Sequence, residues 1–262
     1  MFFDLIYQKF IRPALFKFDA EWSHHLTLSS LSAIGRVGGG KLLESWFGYE
    51  HPALRVRAFN LNFSNPIGLA AGFDKDAKCL EALAALGFGF IEAGTVTFHP
   101  QKGNPRPRLR RLPELEALWN HLGFNNDGAQ FVSDRLKSSK VPIPIGINLG
   151  KSKIAPLENA VKDYLSSFKL LHMLSDYVVL NVSSPNTPGV RTLAERDKLS
   201  ELLRVIEEFN QAKKPILIKV SPDLSREALD AVIEVGLKYR VDGFIATNTT
   251  LSREGMPPRF SG

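Results

Sequence analysis

A chain of 262 residues has room for one large α/β domain or two small ones, and its 44% apolar and 23% charged residues are those of an ordinary globular protein. The formal charge is +6, and a single cysteine, Cys79, excludes an intramolecular disulfide framework and fits a reducing compartment. No apolar run approaches the roughly 20 residues needed to span a bilayer, and the Met1-Phe2-Phe3-Asp4 start matches neither a secretory signal nor an organelle transit peptide.

Residues 1–50 read as helical and separate from the rest of the chain. Phe2, Ile6 and Phe10 recur every four residues, with Phe3 adjacent, which makes an aromatic stripe on one helix face. Pro13 should end or kink that helix. Asp19 is a fair N-cap for a second helix running to about Ile34, and Glu21 in its first turn suits the helix dipole. Gly38-Gly39-Gly40 reads as a flexible break, and residues 54–63 as a short hairpin.

A regular alternation then begins. Apolar strand candidates are 67–71, 88–93, 143–149, 177–182, 216–220 and 243–246. Helix candidates lie between them, at about 76–86, 127–138, 156–174, 193–212 and 225–238. Such alternation argues for βαβ units and a parallel sheet, and near-continuous apolar strands argue for burial on both faces. Cys79 reads as a buried helix residue rather than a nucleophile.

Residues 97–125 are an insertion too long for one helix. It carries five basic residues (Lys102, Arg106, Arg108, Arg110, Arg111) with no acid from Phe98 to Leu112. This patch is either a solvated face or a surface for nucleic acid, anionic lipid or an acidic ligand. The expected fold is a (β/α)8 TIM barrel with an N-terminal helical extension. Six of eight strands are counted, which leaves two open edges. The expected division is 1–50 for the helical segment and 51–262 for a C-terminally incomplete barrel.

Polar residues gather where the apolar runs end: Ala71-Gly72-Phe73-Asp74-Lys75, Gly94-Thr95, Asn148, Asn181 through Asn186, and Thr247-Asn248-Thr249-Thr250. Lys219 lies inside an apolar run. Singly, these residues could be turn formers or caps. Together they point to one rim of a β/α barrel and a flat, carbonyl-rich, anionic ligand. Ser184 is the candidate for a chemical step. There is no Gly-x-Ser-x-Gly elbow and no spaced His and Asp, so Ser184 would need a dry site and a proton relay, for which Thr187 is the candidate. His24 and His25 read as structural. Neither metal-ligand spacing nor a glycine-rich phosphate signature is present, so no metal is expected.

Five motifs carry a family resemblance: residues 70–76, 103–108, 123–126, 181–189 and 246–250. With them the chain resembles the class 2 dihydroorotate dehydrogenases, the quinone-linked flavoenzymes of pyrimidine synthesis. The resemblance implies FMN on the barrel rim and oxidation of dihydroorotate to orotate. It implies that Ala71, Gly72, Thr95, Asn148, Asn181, Lys219 and Thr247 contact the flavin, with Lys75 between flavin and substrate. Asn120, Asn181, Asn186 and Asn248 would bind the orotate ring and carboxylate, with Phe124 and Thr249 nearby. Ser184 matches the catalytic base, where class 1 relatives have a cysteine.

The resemblance further implies that the N-terminal helices dock on a membrane and admit ubiquinone or menaquinone through Phe2, Phe3, Ile6, Phe10, Leu15 and Phe16. His24 and Arg111 would face the quinone head group. The implied location is peripheral, on the cytoplasmic face of a bacterial inner membrane. Members of this class continue for two more strands whose loops bind the FMN phosphate, so residues 1–262 alone are expected to be poorly soluble and to hold FMN weakly. Two rivals remain open: a soluble class 1 dehydrogenase, against which Ser184 and the N-terminal helices speak, and a basic nucleic-acid-binding protein, against which Pro105 and Pro107 speak. No nucleic-acid partner is expected.

Overall fold

The structure, a computed structural model, describes residues 2–184, 186–187, 189–254 and 256. The N-terminus is one helical run: α1 (Phe2–Ile6), a π-helical stretch (Tyr7–Ile11) and α2 (Arg12–Phe16). Pro13 therefore does not end the helix. It sits in the first turn of α2, directly after the wider π turn, which gives its ring room against the preceding carbonyls. The side chains of Phe2 and Phe3, expected in the aromatic stripe, lie outside the described residues.

Asp19 caps α3 (Ala20–Arg36) as expected, its Oδ1 accepting the Trp22 N–H at 2.9 Å. The glycine triplet is a tight turn rather than a flexible break. Gly38 has a φ of +73°, and Gly40 opens α4 (Gly40–Phe47), a helix the glycine triplet conceals in the sequence. The expected hairpin is β1 (Val56–Ala58) and β2 (Leu61–Phe63), antiparallel. Phe59 and Asn60 both have positive φ, as a two-residue primed turn requires.

The central sheet has six parallel strands: β3 (Gly68–Leu69), β4 (Phe90–Val96), then β7 (Ile145–Leu149), β8 (Tyr177–Asn181), β9 (Ile216–Val220) and β10 (Gly243–Ala246). Between β4 and β7 the insertion forms its own antiparallel pair, β5 (Leu109–Leu112) and β6 (Ala117–Asn120), which its charged sequence hides. Helices α5 (Leu80–Ala85), α6 (Ala129–Ser138), α7 (Ala160–Leu171), α8 (Arg196–Phe209) and α9 (Arg226–Lys238) alternate with the strands. Apart from that hairpin, spatial strand order follows chain order and never reverses. That is the winding of a β/α barrel, not of a doubly wound sheet.

Side chains alternate across the sheet. Ile91, Ile147, Val178, Leu180 and Ile218 point outward into the main core, against Leu80, Leu83, Val132, Phe168, Leu202 and Val232 of the helices. The inner face holds Tyr177, Val179 and Leu217, packed by Phe59 and Leu61 of the hairpin together with Phe90 and Ile245. The β1–β2 hairpin thus covers the bottom of the inner face. Gly146 is required there, because a Cβ at that position would be driven into the Tyr177 ring.

Candidate active site

Above that apolar plug, the inner face turns polar at the C-terminal strand ends. Glu92 and Thr95 come from β4, Asn148 from β7, Asn181 from β8 and Lys219 from β9, and all are buried. Hydrogen bonds join Glu92, Thr95, Asn148 and Asn181 in one network. Thr95 Oγ1 donates to Asn148 Oδ1 at 2.6 Å and accepts from Asn181 Nδ2 at 2.9 Å. Asn148 Nδ2 donates to Glu92 Oε1 at 2.8 Å. Asn181 Oδ1 accepts from Ser183 Oγ at 2.8 Å, and Asn248 Nδ2 donates to Ser183 Oγ at 3.0 Å. Tyr164, fully buried on α7, anchors the Asn181 carbonyl at 2.8 Å. Buried polar groups are costly unless paired, so this network holds its amides in one orientation. Burial pushes the Glu92 carboxyl above its ordinary range, against the opposing charge of Lys219 and hydrogen bonds from Asn148 and the Ala71 backbone.

The turn after β3 lies beside this network. Gly72 N donates to the Gly94 carbonyl at 2.7 Å. Gly72 has a φ of +117°, and a Cβ there would enter open space. Lys75 Nζ donates to the Gly72 carbonyl at 2.8 Å. Burial lowers the Lys75 ammonium to about 8. Asp74 pins the turn by accepting the Lys78 and Cys79 N–H groups at 2.9 and 2.8 Å. Cys79 is buried as expected, but it caps α5 instead of lying within it. Burial and then Asp74 raise its thiol far above the usual range, so it is no nucleophile.

Ser184 follows β8 and is 3% exposed. Its Oγ accepts the Asn186 N–H at 3.3 Å. The Asn186 side chain reaches Asn120 Oδ1 at 3.3 Å and His121 Nδ1 at 3.1 Å. Thr187 is buried, and its Oγ1 has no hydrogen-bond partner. Pro185 and Pro188 of this loop lie outside the described residues. Phe124 packs beside Thr95: a Cβ on Gly150 would meet Thr95 Cγ2 at 2.6 Å and Phe124 Cε2 at 2.9 Å. Thr247 and Thr249 are exposed, and both bond to Asn248.

The strand-end residues read from the sequence therefore meet on one rim. Glu92, Ser183, His121, Asn104 and Tyr164 belong to the same constellation and were not singled out there. Glu92 had a legible signal, a lone acid inside an apolar strand, as Lys219 is a lone base. Among the described residues, no group of three or more His, Cys, Asp or Glu side chains could hold a metal.

The basic patch does not form a free cationic surface. Arg108 is 5% exposed and pairs with Glu21 of α3, its Nη2 at 2.6 Å from Oε1. Arg106 joins the same carboxylate at 3.1 Å. Burial would raise Glu21, but Arg108 and Arg106 outweigh it and hold the carboxyl at about 2. Arg111 donates to the Phe18 carbonyl at 2.8 Å and lies over the Phe16 ring, while Arg110 covers Trp119. Four of the five cations thus engage groups within the chain, two of them gripping α3.

His24 is half-buried, edge-on to Phe73, with burial and then Lys75 lowering its pKa to about 4. It lines a cavity of about 580 Å³ that also includes Lys75. Arg111 lines a separate cavity of about 350 Å³ with Arg12 and Phe16. The structure does not bring His24 and Arg111 into one cavity. Phe10, Ile11, Phe16, Trp22, Leu42 and Trp46 leave the N-terminal helices with an exposed apolar surface, whereas Ile6 and Leu15 are partly buried. Among the described residues, no helix is long and apolar enough to cross a membrane.

Comparison with known proteins places this arrangement. The family model described as dihydroorotate dehydrogenase matches residues 53–258. The dihydroorotate dehydrogenase (quinone) of Gloeobacter violaceus is 51% identical over 94% of this chain and 69% of its own length. That of Chloroflexus aurantiacus is 48% identical over 96% of this chain and 73% of its own. Among solved structures, DHODH from Eimeria tenella in complex with ferulenol superposes with a TM-score of 0.77 at 32% identity, covering 88% of this chain and 68% of that one.

Proposed function

Because the chain belongs to the dihydroorotate dehydrogenase family, we propose that it carries out the quinone-linked oxidation of dihydroorotate to orotate in pyrimidine biosynthesis, on FMN held at the strand-end rim. The observation that carries this reading is the buried Thr95–Asn148–Asn181 network, flanked by Lys219 and by the Ser184 loop.

The residues present fit the cofactor. The open space over Gly72 admits a flat ring, and the polar floor of Thr95, Asn148, Asn181 and Lys219 suits the donor and acceptor edge of an isoalloxazine. Ala71, Gly72, Lys75 and Thr247 complete the set of residues that would hold it. Bound FMN supplies acceptance of a hydride from dihydroorotate and return of the electrons to a quinone.

Ser184 takes the proton from C5 of dihydroorotate. Ser184 releases its own hydroxyl proton as it takes the one from C5, and the Asn186 N–H on its Oγ stabilises the negative charge that develops there as the hydroxyl proton leaves. Thr187 Oγ1, buried and unpaired, is free to accept the proton from Ser184 and pass it on. Asn120, Asn181, Asn186 and Asn248 supply amide donors and acceptors that match those of the pyrimidine ring and its carboxylate. Phe124 closes one side, and Thr249 borders the carboxylate end. Lys75 offers positive charge between cofactor and substrate. Burial of the Ser184 loop excludes water that would otherwise compete for the serine.

Residues 1–50 form the docking segment and residues 51–262 the FMN-binding barrel. The exposed Phe10, Ile11, Phe16 and Trp46 supply a peripheral contact with a membrane holding ubiquinone or menaquinone, at the cytoplasmic face of a bacterial inner membrane. His24 and Arg111 approach the quinone from the two cavities they line. Anaerobic addition of dihydroorotate to the FMN-loaded protein tests the reading: the visible flavin absorbance should bleach and return on adding a quinone. Flavin that stays oxidised with dihydroorotate refutes it.

A further inference from the structure

One side chain joins the N-terminal helices to the Ser184 loop. Arg108 uses one edge of its guanidinium on Glu21 of α3, Nε lying 3.1 Å from both carboxylate oxygens and Nη2 2.6 Å from Oε1. The other edge, Nη1, donates to the carbonyls of Lys102 and of Asn104, the latter at 2.9 Å. Asn104 Nδ2 in turn donates to the carbonyls of His121 and Asn186, at 3.1 and 3.3 Å. Asn186 is the residue whose N–H supports Ser184 Oγ. A second limb runs through the Arg108 backbone, whose carbonyl accepts the His121 N–H at 2.8 Å, and His121 Nδ1 meets Asn186 Oδ1 at 3.1 Å.

We propose that Arg108 is a positioning residue that couples the seating of α3 to the geometry of Ser183, Ser184, Asn186 and Thr187, with Glu21 as its anchor.

Three properties make this a link and not a local staple. Arg108 and Glu21 are both buried, so neither charge has water to fall back on if the pair opens. A planar five-donor fork is needed to serve a carboxylate and two carbonyls at once, which a lysine cannot do. The backbone packed against them leaves no slack: a Cβ on Gly103 would meet Arg108 Nη1 at 2.6 Å, and one on Gly123 would meet Asn104 Cγ at 2.7 Å. A shift of Arg108 must therefore move Asn104, and with it the carbonyl of Asn186.

The consequence is reciprocal. Whatever seats α3 more firmly favours the aligned Ser184 loop, and whatever orders that loop favours seated α3, by the same factor. Identifying the loop's ligand as orotate rests on the function proposed above. The coupling itself does not.

The test is hydrogen exchange across the chain, with orotate titration beside it, on wild type, Glu21→Gln, Arg108→Lys and Arg106→Ala. Glu21→Gln and Arg108→Lys should each speed exchange at residues 183–187 by about tenfold, within the usual range for coupled sites. They should weaken orotate binding by a similar factor. Arg106→Ala removes a bond to Glu21 from a side chain that is 66% exposed and has no bond to Asn104, so it should change neither. The proposal is overturned if faster exchange stays within 20–30 and 102–108, if Arg106→Ala loosens the loop equally, or if orotate affinity holds while the loop loosens. Failure of the wild-type protein to bind orotate would instead refute the proposed function, and the exchange pattern would still decide the coupling.

Discussion

Replacing Lys75 by methionine should stabilise the ligand-free protein at neutral pH while removing its activity. The ammonium is 8% exposed, and burial holds its pKa at about 8, against an ordinary value of 10.5. The folded state therefore binds the proton less tightly than the unfolded one. Below pH 8 both states carry the charge, and the full cost of burying it falls on the fold. Between pH 8 and about 10.4 the unfolded chain holds more proton, so stability climbs with pH, and above that range the cost is gone. Each unit is worth about 1.36 kcal/mol, so a shift of this size costs roughly 3 kcal/mol. Methionine fills similar volume without charge but gives up the bond to the Gly72 carbonyl, about 1 kcal/mol. The net gain is about 2 kcal/mol, or roughly 4–8 °C in Tm for a domain of this size. Denaturant unfolding at pH 7 and pH 11 measures it. The variant should lead at pH 7 and lose that lead at pH 11. A less stable variant at pH 7, or a lead independent of pH, would refute the assignment of Lys75 as a strained, buried cation.

Ser184→Ala should lower dihydroorotate oxidation at neutral pH by at least about 100-fold, the usual span for a general base, with FMN content unchanged. Unchanged turnover removes Ser184 from its role, whereas partial recovery at high pH is compatible with hydroxide acting in its place. Thr95→Val takes one bond from each of Asn148 Oδ1 and Asn181 Nδ2, leaving them only their mutual 3.3 Å bond, and should cost about 1 kcal/mol in urea unfolding and weaken FMN retention on dialysis. Gly146→Ala forces a methyl into the Tyr177 ring, so calorimetry should find it destabilised by about 1–3 kcal/mol. Serine at Phe10, Ile11 and Trp46 together should reduce sedimentation with phospholipid vesicles without changing flavin bleaching by dihydroorotate. Equal loss of both would refute a separate docking surface.

Much of this molecule is local in origin, and that part was legible in the chain. The strands 216–220 and 243–246 were read to the residue, because a buried parallel strand is a short apolar run bounded by turn residues. The Asp19 cap and the Phe59–Asn60 turn are likewise dictated within a few residues. The polar strand ends could be assigned to one rim because parallel β/α winding sends every C-terminal end the same way. What the chain alone withheld depends on partners distant in sequence. Glycine obscured α4, which lies beside α5 while Leu42, Trp46 and Phe47 stay exposed. A run of arginines read as a surface patch, yet Arg108 lies buried on a carboxylate 87 positions away, and neither residue signals that pairing. Lys219 stood out in an apolar strand and Glu92 had the same signal, but only the pairing of the strands across the sheet brought them together with Asn148. Side-chain period specifies which face a residue takes; which residue stands opposite is decided by register and packing across the whole fold.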